Sequence, residues 1–212
     1  MNFGYPDTCE LCFEAIKNNF NMINIEGLNV RPFYQKGNKF KLMLIGQDPT
    51  IREDQDRVKE VLMLDQENGQ LRRWLKGIFG LSKFESLTIY ATNVIKCTFS
   101  RRPSELKKGG RELLNCCFLN CSQYLKNEVL AYAPNLILTL GEPSHEIFLK
   151  LVNEKIPMKM KDAFSGKFHE VSIENLKTYY SPCLHIQTFR VAEKYGEKVV
   201  NFKRMINSLK TT

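Results

Sequence analysis

The sequence predicts an α/β protein, a three-layer α/β/α sandwich around a central, mostly parallel four-stranded sheet. Short apolar runs at "KLMLIG" (41–46), "SLTIYATN" (86–93), "NLILTLG" (135–141) and "LKTYYS" (176–181) are bounded by turn residues and read as core strands. Longer segments between them carry apolar residues at helical spacing. Strands that alternate with helices are joined by crossovers, which places them parallel in a sheet covered on both faces.

The first strand ends abruptly in Gly46, Gln47, Asp48 and Pro49. "RVKEVLMLDQENGQLRRWLKGIF" follows with a helical pattern broken near Asn68 and Gly69. "GRELLNCCFLNCSQYLKNEVLAYA" is the longest helical pattern, and Pro134 ends it. "EPSHEIFLKLV" and "VAEKYGEKVVNFKRMINSL" complete the set. Repeats, low-complexity stretches and Gly- or Pro-rich linkers are absent, so residues 1–212 are expected to form one domain with a cysteine-bearing N-terminal segment. The turn after the first strand matches neither GxGxxG nor GxxxxGK(S/T), which disfavours a nucleotide cofactor.

With 212 residues and 43% hydrophobic content, the chain is long and apolar enough for a full core. The first twenty residues lack a basic segment followed by an apolar one, and no window approaches the length of a membrane span. The expectation is a cytoplasmic monomer without membrane contact. Lys and Arg outnumber Asp and Glu by 31 to 23, for a net charge of +8. Such a balance favours a polyanionic partner, most simply nucleic acid, although proteins with no such role also reach it.

Seven cysteines, Cys9, Cys12, Cys97, Cys116, Cys117, Cys121 and Cys183, are many for a chain read as cytoplasmic. Disulfides are unfavoured in a reducing compartment, so clustered thiols point to metal or redox chemistry. The CxxC of Cys9 and Cys12, joined by thiols from "IKC" and "NCCFLNC", can converge on zinc or an iron–sulfur cluster. The plainer alternative is that they are buried, inert thiols packed as small hydrophobes.

Parallel strands finish on one edge of their sheet. That edge therefore collects "GQDPT", "TNVIKCTFSRR", "GEPSH" and "SPCLHIQTFR". Asp48 there is either a reacting carboxylate or a helix N-cap, and Asn93 is either a reader of a ligand edge or a turn former.

"LMLIGQDPT", "YATNVIKC" and "NLILTLGEPSHEIF", in that order and with the cysteines, resemble the uracil-DNA glycosylase superfamily, from residue 9 to about 190. The cysteines resemble its iron–sulfur, family 4-like branch, while Gln-Asp-Pro in the first motif is similar to the branch without a cluster. The resemblance implies a monofunctional DNA repair glycosylase that hydrolyses the N-glycosidic bond of flipped uracil and leaves an abasic site. It implies a 4Fe-4S cluster on Cys9, Cys12, Cys97 and a fourth cysteine, with zinc as the alternative. Cys121 fits the family spacing in "CSQYLKNEVLAYAP", and Cys117 stands in reserve. Asn93 would read the uracil edge, the backbone of Gly46 and Gln47 with Pro49 would contact the base, and Asp48 would orient or deprotonate the attacking water.

Three departures bear on activity. Thr50 stands where the cluster-free branch has a Tyr that blocks the thymine methyl. No aromatic occupies the place of the stacking Phe, which Met63 or Leu64 would fill. Ser181 stands where the family has a His that donates to the departing base, with His185 four residues on. Leu184 or Ile186 would wedge into the gap left by the flipped base. Arg101, Arg102, Lys107, Lys108, Arg190 and Lys194 would contact DNA, unless they form ordinary solvated faces. The expected partner is DNA containing uracil or another modified base. Two alternatives follow from the departures: a nucleic-acid-binding protein with weakened catalysis, or a glycosylase for another damaged or mismatched base.

Overall fold

Strand β2 (Lys41–Gly46) lies at the centre of the sheet, because its Leu-Met-Leu-Ile run is buried on both sides. The computed structural model describes residues 3–6, 9, 11–12, 30–38, 40–49, 58–103, 109–152, 154–185 and 195–209. Among them, β1 (Phe33–Gln35), β3 (Thr88–Asn93), β4 (Leu136–Leu140), β5 (His169–Ile173) and β6 (Leu176–Cys183) join β2 in a six-stranded sheet, in the order β1-β3-β2-β4-β6-β5. β3, β2, β4 and β6 pair in parallel and correspond to the four strands legible in the sequence. β1 and β5 extend the sheet antiparallel at its two edges, so the expected four-stranded sheet is two strands too narrow. β1 has only three residues, and β5 mixes buried with exposed positions. Neither carries the continuous apolar run that marks a buried parallel strand.

Alternation along β2 builds two cores. Leu42 and Leu44 pack with Trp74, Leu75 and Ile78 of α1 (Gln70–Phe79), with Phe84 of α2 (Leu81–Ser86), and with Phe202 of α6 (Gly196–Ser208). Met43 and Ile45 face the opposite core, with Leu125 and Val129 of α3 (Gly110–Tyr132) and Phe148 of α4 (Glu142–Phe148). The single turn α5 (Met160–Ala163) precedes β5. Cys117, Cys121, Leu125, Glu128 and Tyr132 are buried along α3 at intervals of three or four residues, which puts them on one stripe. The helix stops at Ala133, left-handed at φ 49°, before Pro134, whose ring disfavours helical backbone in the residue ahead of it.

The segment read as helical from Arg57 onward is different where it is described. Val61–Met63 is a single 3-10 turn, and the α-helix starts only at Gln70. Val61 N–H donates to Arg31 O at 2.8 Å, which holds the chain extended at Glu60 and keeps it from joining the helix.

From β2 the chain passes to β3 on one side and later to β4 on the other. This reversal opens a crevice beyond the C-terminal end of β2, the place where α/β sheets bind ligands. Leu44 is fully buried in the middle of this strand. Leu44→Ala is predicted to destabilise the protein by about 3 kcal/mol, read as a lower urea midpoint with an unchanged slope.

Candidate active site

The end of β2 is built around a glycine. A Cβ on Gly46 would lie 2.3 Å from Asn93 Oδ1 and 2.7 Å from Leu62 Cδ2, so no other residue fits without displacing both. Beyond Gly46 the chain turns, and its carbonyls are taken up by the segment after β3. Val94 N–H donates to Gly46 O at 2.9 Å, Ile95 N–H to Gln47 O at 3.0 Å and Phe99 N–H to Pro49 O at 3.2 Å. The half-buried Asp48 accepts from Gln47 Nε2 through Oδ1 at 2.5 Å.

Asn93 closes β3 directly beside Gly46 in the parallel register. It is 2% exposed, and its Oδ1 has no hydrogen-bond partner among the described residues. An unmatched buried acceptor is costly in a folded protein, so this oxygen is suited to receive an N–H from a ligand. Leu62 lies against the same spot. Leu62 and Met63 hold φ of 61° and 52°, a left-handed backbone that non-glycine residues adopt at a cost of about 1–3 kcal/mol each. The residue at this spot is Leu62 rather than the expected Met63 or Leu64, and Leu64 is fully enclosed in the core with Val61 and Trp74. The backbone reversal at 62 and 63 is what brings Leu62 to Gly46, and nothing in "EVLMLD" separates one leucine from the other.

Four thiols meet in the core behind this turn. Cys97 lies near enough to Cys117, Cys12 and Cys121 for their thiols to perturb one another, as Cys12 does with Cys117. Asn120 Nδ2 donates to Cys12 Sγ at 3.2 Å, and Lys96 N–H to Cys121 Sγ at 3.4 Å. Hydrogen bonds from Cys117, then Cys97 and Asn120, hold the Cys12 thiol down at about 3 against the opposing effect of burial. Cys97 is pushed up first by Cys117, Cys12 and Cys121, and Cys117 is pushed up first by Cys12 and by burial, against a lowering effect of Cys97. Cys9 stands a step outside, hydrogen-bonded with Tyr124. Among the described residues, no three His, Cys, Asp or Glu side chains are arranged as a formed metal site. The expected set of Cys9, Cys12, Cys97 and Cys121 is therefore not displayed as one, and Cys117 rather than Cys9 lies among the touching thiols. As soft donors, these thiols suit iron–sulfur or zinc chemistry. Cys183 lies apart in the opposite core, its thiol raised by burial.

The remaining expected residues are less gathered. Ser181 is 1% exposed and pairs with Leu138, level with Leu44 and two rows inside the edge marked by Gly46 and Asn93. Its Oγ donates to Pro182 O at 3.1 Å. Leu184, read as a wedge, is buried at 2% exposure, whereas His185 beyond it is exposed. Arg101 and Arg102 are exposed after the Cys97 turn. Thr50, Lys107, Lys108, Ile186, Arg190 and Lys194 lie outside the described residues.

A sequence model of the uracil DNA glycosylase superfamily matches residues 33–209. The chain is 29% identical over 147 residues to a type-4 uracil-DNA glycosylase of Saccharolobus solfataricus, an alignment covering 69% of this chain and 61% of that relative. The chain thus spans less than two thirds of the relative's length.

Gly46→Ala is predicted to cost about 1–3 kcal/mol, because the methyl must displace Asn93 Oδ1 and Leu62 together. Thermal melting beside a surface Gly77→Ala control, where an added Cβ meets nothing within 4 Å, checks the magnitude.

Proposed function

The chain belongs to the uracil DNA glycosylase superfamily, and from that premise we propose that it hydrolyses the N-glycosidic bond of uracil flipped out of DNA, leaving an abasic site. The observation that carries this reading is the buried, unpartnered Oδ1 of Asn93 beside Gly46 at the sheet's switch point. Uracil offers N3–H to that acceptor and O4 to the amide Nδ2 of the same side chain. Cytosine has no hydrogen on N3, so it would leave the buried oxygen unmatched and be rejected. Leu62 gives the base an apolar floor with less stacking energy than an aromatic ring.

Asp48, held by Gln47, orients or deprotonates the water that attacks the sugar carbon. Its negative charge also stabilises the oxocarbenium-like transition state. As the glycosidic bond breaks, electrons pass to the base, which leaves as an anion. The Ser181 hydroxyl already donates to Pro182 O, so it is a weak partner for that anion, and the exposed His185 just beyond this strand end is the alternative side chain for the step. The net charge of +8, with Arg101 and Arg102 exposed, supports phosphate contacts and a steep salt dependence of DNA binding. Specificity against thymine, with Thr50 in place of a blocking Tyr, belongs to the same proposal.

Cys12, Cys97 and Cys121, with Cys9 or Cys117 as the fourth, would hold a 4Fe-4S cluster or, alternatively, zinc. When bound, the group supplies a structural tie between the N-terminal segment and the turn after Asn93, with no redox change in the hydrolysis. A second reading, a DNA-binding protein of weakened catalysis, is favoured by the internal hydrogen bond of Ser181.

A single-turnover assay on a uracil-containing oligonucleotide, followed by alkaline cleavage of abasic sites, tests the proposal. Asp48→Asn is expected to slow excision by about 10²–10⁴-fold, and Asn93→Ala by about 10²–10³-fold. A wild-type chain that binds this DNA without excising uracil would instead support the binding reading. Anaerobically purified protein is expected to contain about four irons with matching sulfide and an absorbance band near 400 nm. Zinc without that band would replace the iron assignment.

A further inference from the structure

Behind the sheet, on the face opposite Leu62, lies a buried polar group that the reading above leaves without a task. Lys96 and Glu128 have fully buried side chains and form an ion pair. Lys96 Nζ also donates to Thr92 Oγ1 at 2.7 Å and to the main-chain oxygen of Asn93 at 2.7 Å. An ammonium has three donors and no acceptor, so Glu128, Thr92 and Asn93 satisfy it completely. Glu128 Oε1 accepts from Tyr90 Oη at 2.6 Å and Thr92 Oγ1 at 2.8 Å. The Tyr5 ring covers the ammonium, with its centroid 5.3 Å away.

A hydrophobic core does not need such a group. Two buried charges lose their hydration, and an apolar pair of similar volume is often as stable. This pair has a specific target. The peptide between Asn93 and Val94 is planar, so holding its two ends fixes its orientation. Its N–H donates to Gly46 O at 2.9 Å and its oxygen accepts from Lys96 Nζ, so it is pinned on both sides. The direction of that plane sets where the Asn93 side chain leaves the backbone, and hence where its unpartnered Oδ1 lies.

We propose that Lys96, held in place by Glu128, is a positioning residue that pins the Asn93–Val94 peptide from behind the sheet and so aims the Asn93 amide at the flipped base. The proposal rests on the glycosylase reading of Asn93. Lys96 does not touch the base. Through its own N–H on Cys121 Sγ it also links this peptide to the thiol cluster, so the base-reading turn and the cysteines share one anchor.

Single-turnover excision, DNA affinity by anisotropy and thermal melting are compared for wild type, Lys96→Met, the double variant Lys96→Met/Glu128→Met, and Thr92→Val. Lys96→Met leaves Glu128 buried without its cation and is expected to melt lower, while the double variant recovers the melting temperature. Both are expected to excise uracil about a hundredfold more slowly, since a misplacement of about 1 Å at a reacting group has that effect. Their DNA affinity is expected to stay unchanged, a split that loss of folding does not produce. A double variant that melts like the wild type and excises at the wild-type rate overturns the proposal while the glycosylase reading stands. Failure of the unaltered chain to release uracil overturns both. Should neither Lys96 variant fold, Thr92→Val decides, because it keeps both charges while removing one acceptor of Lys96 and one donor to Glu128. A severalfold slower rate at unchanged DNA affinity then supports the proposal, and an unchanged rate overturns it.

Discussion

Three main-chain hydrogen bonds hold the candidate site together, from Val94, Ile95 and Phe99 N–H to the carbonyls of Gly46, Gln47 and Pro49. They carry the β2–β3 pairing beyond the ends of both strands, so the turn bearing Asp48 and the turn running from Asn93 to Cys97 move as one body. Each bond contributes only about 1 kcal/mol net. Their larger effect is geometric, because they leave Asn93 Oδ1 so close to Gly46 that an added methyl carbon would lie only 2.3 Å from it. Proline suits the third position, since only its carbonyl is needed there and it has no N–H to satisfy.

The rest of the fold holds these turns at the correct depth. β2 is buried on both faces and flanked by parallel strands on each side, so its end cannot shift without disturbing two cores. Rigid strands ending in short functional turns are the usual way a sheet presents chemistry. One irregular neighbour is the left-handed Leu62–Met63 pair, whose Leu62 packs on the core that contains Val61 and Leu64. Backbone strain here lies directly against the residues proposed to meet the base, as strain often does at sites that bind ligands.

The two faces of the sheet have separate tasks. Leu62 and the apolar core of α1 and α6 lie on one side, while Tyr90, Glu128 and the thiols of Cys12, Cys97, Cys117 and Cys121 lie on the other. Asn93 and Cys97 are only four residues apart, so whatever the cysteines hold is tied to the turn that reads the ligand. Cys12 arrives from the N-terminal segment and meets Cys117, Cys97 and Asn120 there, which joins distant parts of the chain behind the site.

The sequence by itself determined the four parallel strands, the turns at Gly46–Pro49 and Asn93, the end of α3 at Pro134 and the family. Each is written locally, as an apolar run, a turn residue, a helix breaker or a short motif. β1 and β5 were not legible, because an edge strand is half exposed and leaves no continuous apolar run. Leu62 was indistinguishable from Leu64 until its backbone turned left-handed under packing from elsewhere. The depth of Ser181 follows from how β6 registers on β4, and one strand's composition does not reveal its register against another. Lys96 and Glu128 are 32 residues apart, and Cys12 comes from the N-terminal segment while Cys97 follows β3. Only tertiary structure decided these encounters, because they depend on long-range contacts summed over the whole core rather than on any one stretch of chain.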